Sequence, residues 1–285
     1  MKNNNFKKIF LPVVFIGVFC IIIRKCSFHS LPKNKFQLFK FSIEESYEEN
    51  EYQLLVKNPV KCPIGLLLSC QDDKTNEILN KLSPILLEAS ADTLIRIKDR
   101  GNLEGKIDVK LRIGNPDIAI QSSKIKSLPY PNGNSYELLQ GNNSNPTHNS
   151  NISRYAFDFT MSTGDTVTSV QDGYVIGVID GYHGWGNGDK WKSYSNQIII
   201  YDTITYLFTM YGHLKQNSSM IKVGDYVRIG QPIALSGQTG QAQEEHLHFN
   251  VLQADNVKGG LKSYRLDSIG NYKVKELKRY QLMTN

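Results

Sequence analysis

The chain has 285 residues, room for two domains of ordinary size, and 40% of them are hydrophobic, enough to bury real cores. Its formal net charge is +6. The lysines and arginines are dispersed, with no basic run interleaved with aromatics, which argues against nucleic acid as a partner; a mild positive excess suits an anionic polymer instead.

In chain order, Lys2, Lys7 and Lys8 precede an apolar run over residues 9–23. The run is short for a spanning helix of roughly 20 residues and normal for the apolar core of a signal peptide. Arg24 and Lys25 follow directly with no small-x-small cleavage pattern. Residues 1–26 therefore read as a signal peptide or an uncleaved membrane anchor, with the N-terminus on the cytoplasmic side. Residues 27–49 are polar, with an acidic patch at Glu44, Glu45, Glu48 and Glu49, and read as a linker. Residues 50–125 hold short apolar runs with partial alternation, separated by turn residues, and predict a small all-β, sandwich-like domain. Pro84 argues against a long helix over residues 76–89. Cys62 and Cys70 flank one predicted strand, which extended spans about 26 Å, against the roughly 7 Å between Cα atoms that a disulfide allows. Both are expected as free, buried thiols.

Residues 126–153 are rich in Asn, Gly, Pro and Ser and read as a long loop. From Tyr155 onward strand follows strand, with helix signals nearly absent. Gly164–Asp165 and Gly224–Asp225 each precede a short strand and then another glycine, suggesting two similar hairpin units. Residues 182–195 break the pattern and carry both tryptophans, Trp185 and Trp191, with His183. This insert is expected to be a mobile loop at a groove rim, the tryptophans either contacting ligand or covering a sheet edge. Residues 259–285 form a basic extension that adds an edge strand or contacts a wall or membrane surface.

Three of the six histidines fall between Tyr206 and Val251. On a strand, period two puts His246 and His248 on one face and Leu247 on the other. His213 ends an apolar run, and His148 and Asp158, with nine residues between them, lie ahead of another strand-like run. Histidine and aspartate suit Zn2+, and a catalytic zinc commonly takes three protein ligands and keeps a position for water.

These residues carry a resemblance. His148…Asp158, Tyr211-Gly212-His213-Leu214 and His246-Leu247-His248 resemble, in order, the H(x)nD, Y-x-H-L and H-x-H motifs of the lysostaphin/LytM-type zinc metallopeptidases, which are peptidoglycan endopeptidases. RYAFDF (154–159), GDTVTSVQDGYV (164–175) and VGDYVRIGQPIALSGQTG (223–240) extend the likeness. The resemblance implies that residues 126–258 form a mostly antiparallel β-sandwich of the duplicated hybrid motif type. It implies one Zn2+ held by His148, Asp158 and His248, with His213 and His246 catalytic. The implied activity is cleavage of peptide cross-links in peptidoglycan, by a protein exported or anchored in the cytoplasmic membrane with its catalytic domain outside the cytoplasm. The alternative is a non-catalytic wall-binding or hydrolase-regulating member. Two departures stand out: the first spacing is longer than the three residues of many members, and Glu244-Glu245 replaces the usual Gly-Pro. Asn196 matches a usual Asn that orders a loop or water, and Tyr211 is expected to pack under His213 or donate a hydrogen bond. His183 is not needed to complete the set. The oligomeric state is not legible.

Overall fold

The computed structural model describes residues 31–39 and 41–285; the expected signal or anchor segment, residues 1–26, lies outside the described residues. Among the described residues no helix is long and apolar enough to cross a membrane.

A nine-stranded sheet organises the chain. Its spatial order is Tyr226–Val227, Gly173–Ile179, Gln197–Tyr201, Phe208–Gly212, Leu247–Ala254, Phe157–Phe159, Ser135–Gln140 and Leu282–Thr284, with Leu261–Ser263 also paired to Leu247–Ala254. Its pairings are antiparallel. The sheet is apolar on both faces, which explains a run such as QIIIY: a strand covered on two sides loses the polar half of its alternation. Ile198 and Ile200 share one core with Phe157, Phe159, Tyr211, Leu247 and Phe249. Ile199 and Tyr201 face the other way, into a second core with Phe208 and Leu252.

That second core is closed by the first third of the chain. Two three-stranded antiparallel sheets lie there: Ser42–Glu48, Glu51–Lys57 and Asp92–Lys98, and Ile85–Leu87, Ile64–Cys70 and Ile107–Ile113. Alternation sends Tyr52, Leu54 and Val56 of one strand, and Ile64, Leu66 and Leu68 of another, into the core shared with the large sheet. The segment before them also lies on the large sheet: Leu38 comes so close to Gly177 that a Cβ there would meet it at 2.8 Å.

Several expectations need correction. The predicted linker contains the strand Ser42–Glu48. The region expected to be all-β contains a ten-residue helix, Asp73–Leu82. Asp72 caps it by accepting from the Thr75 amide at 2.8 Å, Leu79 buries its inner face, and Pro84 falls after its last turn, stopping it there without preventing it. The predicted loop 126–153 contains the strand Ser135–Gln140. The insert 182–195 is packed: Trp185–Gly186 pairs with Gly240–Gln241, a 3-10 turn spans Asp189–Tyr194, and Trp191, 3% exposed, stacks edge-on against Tyr194 at 6.1 Å. Trp191 is therefore a covering residue, while Trp185 stays half-buried. The C-terminal stretch does add an edge strand, Leu282–Thr284, against Ser135–Gln140.

The two Gly-Asp turns are built alike. Gly164 and Gly224 have φ of +105° and +95°, a region closed to most side chains. Asp165 Oδ2 accepts from the Ser162 amide at 2.8 Å, and Asp225 Oδ2 accepts from the Lys222 amide at 2.9 Å. Cys62 and Cys70 are both free, at opposite ends of the Ile64–Cys70 strand; Cys62 is buried and Cys70 partly so.

Candidate metal centre

Three neighbouring strands set the site. Gly212 pairs with His248, and His248 pairs with Asp158, so one cross-strand row carries two chemical groups and delivers His213 at its end. The imidazole of His248 and the carboxylate of Asp158 project on the face opposite Leu247, Phe249, Phe157 and Phe159, as period two requires. This is the face on which the front sheets pack further along, so the front sheets stand beside the site.

His148 comes from outside the sheet. The turn before it is held by the His148 amide donating to Ser144 O at 3.0 Å, and the imidazole is fully buried. Its Nδ1 lies 2.9 Å from Gly141 O. A carbonyl oxygen only accepts, so Nδ1 carries the hydrogen and Nε2 is left with a bare lone pair. That Nε2 lies 3.2 Å from Asp158 Oδ2, yet it is buried with no hydrogen-bond partner. A lone pair and a carboxylate oxygen turned toward one another in a closed site repel unless a proton or a metal cation lies between them. Asp158 Oδ1 lies 2.8 Å from His248 Nδ1. Ligand atoms of His148, Asp158 and His248 all fall within 4.8 Å of one another. Two imidazole nitrogens and one carboxylate form the donor set of a single zinc ion with an open position, and these residues fit one.

Two further imidazoles flank this set. His213 and His246 have ring centroids 4.5 Å apart, and His213 lies 5.9 Å from His248. His213 Nδ1 donates to Thr239 O at 2.7 Å, and His246 Nδ1 donates to Glu244 O at 2.9 Å, so both leave Nε2 bare. His246 Nε2 lies 4.0 Å from Asp158 Oδ2. His213 takes a left-handed backbone, φ +60°, uncommon outside glycine; its amide is held by Ser195 Oγ at 3.0 Å.

The electrostatics follow from burial and proximity. Burial opposes charge on Asp158, but the adjoining His148 and His248 imidazoles overcome it and hold the carboxyl well below the usual carboxylate range. Burial likewise opposes a second proton on His148, but the Asp158 carboxylate facing Nε2, which would accept from it once protonated, prevails and raises it. For His248 burial wins over Asp158 and the balance is lowered. Burial, then repulsion from His246 and His248, pushes His213 down to about 3.

The five residues singled out in the sequence thus lie together, and His183 is exposed outside the cluster. Asn196, fully buried, clamps the surrounding loops: its Oδ1 accepts from the Tyr182 amide and its Nδ2 donates to Tyr182 O, both at 2.8 Å, and to Leu214 O at 3.2 Å. Tyr211 points into the opposite core, where its hydroxyl accepts from the Val170 amide at 3.0 Å; it neither packs under His213 nor donates to it. Glu245 spends its carboxylate on the Thr163 amide at 3.0 Å. Sequence reasoning missed the carbonyl roles of Gly141, Thr239 and Glu244, and it missed Ser195.

Residues 153–259 match Peptidase family M23. A protein of Buchnera aphidicola subsp. Baizongia pistaciae described as an uncharacterized metalloprotease is 32% identical over 110 residues, covering 39% of this chain and 26% of that one. Lysostaphin of Staphylococcus staphylolyticus is 35% identical over 95 residues, 33% of this chain and 18% of that one. This chain therefore spans about a quarter or less of these relatives' length. The structure of lysostaphin from Staphylococcus simulans aligns at 28% identity with a TM-score of 0.34, covering 45% of this chain and 47% of that one.

Proposed function

We propose that this chain, whose residues 153–259 match Peptidase family M23, is a zinc endopeptidase of the cell envelope that hydrolyses peptide bonds in peptidoglycan cross-links. The observation that carries the reading is the buried, unpartnered Nε2 of His148 facing the Asp158 carboxylate across a gap that His248 closes. His148, Asp158 and His248 would hold the zinc, which when bound would lower the pKa of a water toward neutrality and polarise the scissile carbonyl.

His213 and His246 do the proton work. Both present a bare Nε2 to the same space, the geometry of a proton acceptor. His246 is the group we assign to carry the proton from the attacking water to the departing amine. Of the two, its Nε2 is the one with a carboxylate oxygen within 4.0 Å, Asp158 Oδ2. His213, held neutral by burial and its neighbours, accepts a hydrogen bond from the water and aims its lone pair. No glutamate base of the H-E-x-x-H kind is needed. The two like Gly-Asp turns support the duplicated hairpin architecture, with the front sheets walling the groove. The apolar N-terminal run supports export or anchoring, with this site outside the cytoplasm.

The test is release of new amino groups from purified peptidoglycan by the full chain. It should occur with zinc, stop with a chelator and return on adding zinc back. A chain that holds stoichiometric zinc and releases none would be a wall-binding protein and not an enzyme.

A further inference from the structure

A second concavity lies behind the metal centre. The 140–145 turn, the strand Lys124–Ile125 and the C-terminal tail enclose a cavity of about 1240 Å3. Six cationic side chains line it (Lys124, Arg154, Arg265, Lys273, Lys275 and Arg279) with a single carboxylate, Asp267. Across the chain the ratio is 33 basic to 27 acidic residues, so the imbalance is local. The one carboxylate is already taken by the Ser123 hydroxyl. Lys273 has Glu276 at 3.7 Å, and Arg279 spends its Nε on Leu139 O at 3.0 Å. Lys124, Arg154, Arg265 and Lys275 have no ion-pair partner among the described residues.

Like charges gathered in one concavity repel one another and focus a positive field into it. The fold accepts this although nothing in the metal centre's chemistry requires it. We propose that this cavity binds a phosphodiester-linked polyanion of the cell envelope, at a site separate from the metal centre. The cavity exceeds the roughly 300–1,000 Å3 of an ordinary small-molecule pocket, so it has room for several repeat units. Its cations come from three separate chain segments, which fits charges spaced along a polymer better than one compact anion. Lysine takes phosphate as a point charge and arginine takes it in a fork. A lipid bilayer is the poorer fit, since a flat surface reaches the rim of a concavity and not its wall. The C-terminal tail thereby gains a role: it supplies four of the six cations. Gly141, whose carbonyl holds the His148 imidazole, also lines the cavity, so a bound polymer runs beside the site without entering it.

The experiment uses the full chain in detergent micelles and a fluorescent glycerol-phosphate oligomer, read by anisotropy across a salt series. The first variant is Arg154→Gln with Arg265→Gln; the second is Lys124→Gln with Lys275→Gln; the control is Lys98→Gln with Lys190→Gln, outside the cavity. Each cavity pair should weaken binding at least about tenfold and reduce the slope of log affinity against log salt by about two, because each neutralised phosphate contributes a little under one. The control should change affinity less than about twofold, and melting temperatures report that all variants are folded. Equal losses from all three pairs would overturn the proposal, since net charge alone would then account for binding. So would equal affinity for polyglutamate, preference for vesicles of anionic phospholipid over the oligomer, or no binding at about 0.15 M salt. Repeating the titration on metal-stripped chain separates this outcome from that of the peptidase reading, which fails on amino-group release instead.

Discussion

Asn196→Ala removes a side chain that makes no contact with the proposed metal, yet it should damage the site. Asn196 is fully buried, and its amide group is the partner of both the Tyr182 N–H and the Tyr182 carbonyl. The third partner, Leu214 O, keeps a hydrogen bond from Thr239 Oγ1 at 2.9 Å, so two backbone groups are orphaned and not three. At about 1–3 kcal/mol for each buried unsatisfied group, the loss is about 3 kcal/mol. For a chain of this size that is a fall in melting temperature of about 6–12 °C, measurable by calorimetry. Asn196→Asp should be no better, because it keeps the acceptor but turns a second acceptor toward the Tyr182 carbonyl. Since Leu214 follows His213, hydrolysis should fall further than zinc content. Melting within about 2 °C of the native chain would refute the reasoning, because the clamp would then carry almost none of the stability assigned to it.

His148→Ala, Asp158→Asn and His248→Ala should each abolish stoichiometric zinc by elemental analysis. His213→Ala and His246→Ala should retain zinc while losing about 100-fold or more of the hydrolytic rate. Zinc affinity should weaken as pH falls, because protons compete for the ligands. The raised proton affinity of His148 starts this above the ordinary imidazole value of about 6.5, whereas Asp158 and His248 are shifted down and join later. Log affinity should therefore first fall with a slope of about one per pH unit, and an initial slope of two would contradict the assignment. Burial pushes the Cys62 thiol up, so it should stay unlabelled by an alkylating reagent until the chain is unfolded, as peptide mapping would show.

What was legible in the sequence follows from which physical signals are local. His246-Leu247-His248 declares its own geometry, because strand parity needs no partner to be known. The central strands announce themselves by apolar runs such as QIIIY. Ser42–Glu48 could not be read that way: SIEESYE lies on an outer edge, largely exposed, and its pairing is made by backbone groups. The helix Asp73–Leu82 carried its signals in Asp72, Asp73 and Lys81, but Pro84 drew attention to the wrong end. Trp191 illustrates a different limit, since an aromatic in a Gly- and Asn-rich insert reads the same whether it covers a core or faces solvent. The basic cavity was invisible because Lys124, Arg154 and the tail are distant in sequence and meet only in the fold.

Three of the four imidazoles are oriented by main-chain oxygens, from Gly141, Thr239 and Glu244. A peptide carbonyl is the same chemical object whichever residue contributes it. The side chains at 141 and 244 are consequently free to drift, whereas Thr239 also spends its hydroxyl on Leu214 O; glutamates can stand at 244 and 245 without disturbing the ring beside them. Evolution can rewrite the lettering of these turns while leaving the hinge pins of the three imidazoles in place, provided the path of the backbone survives.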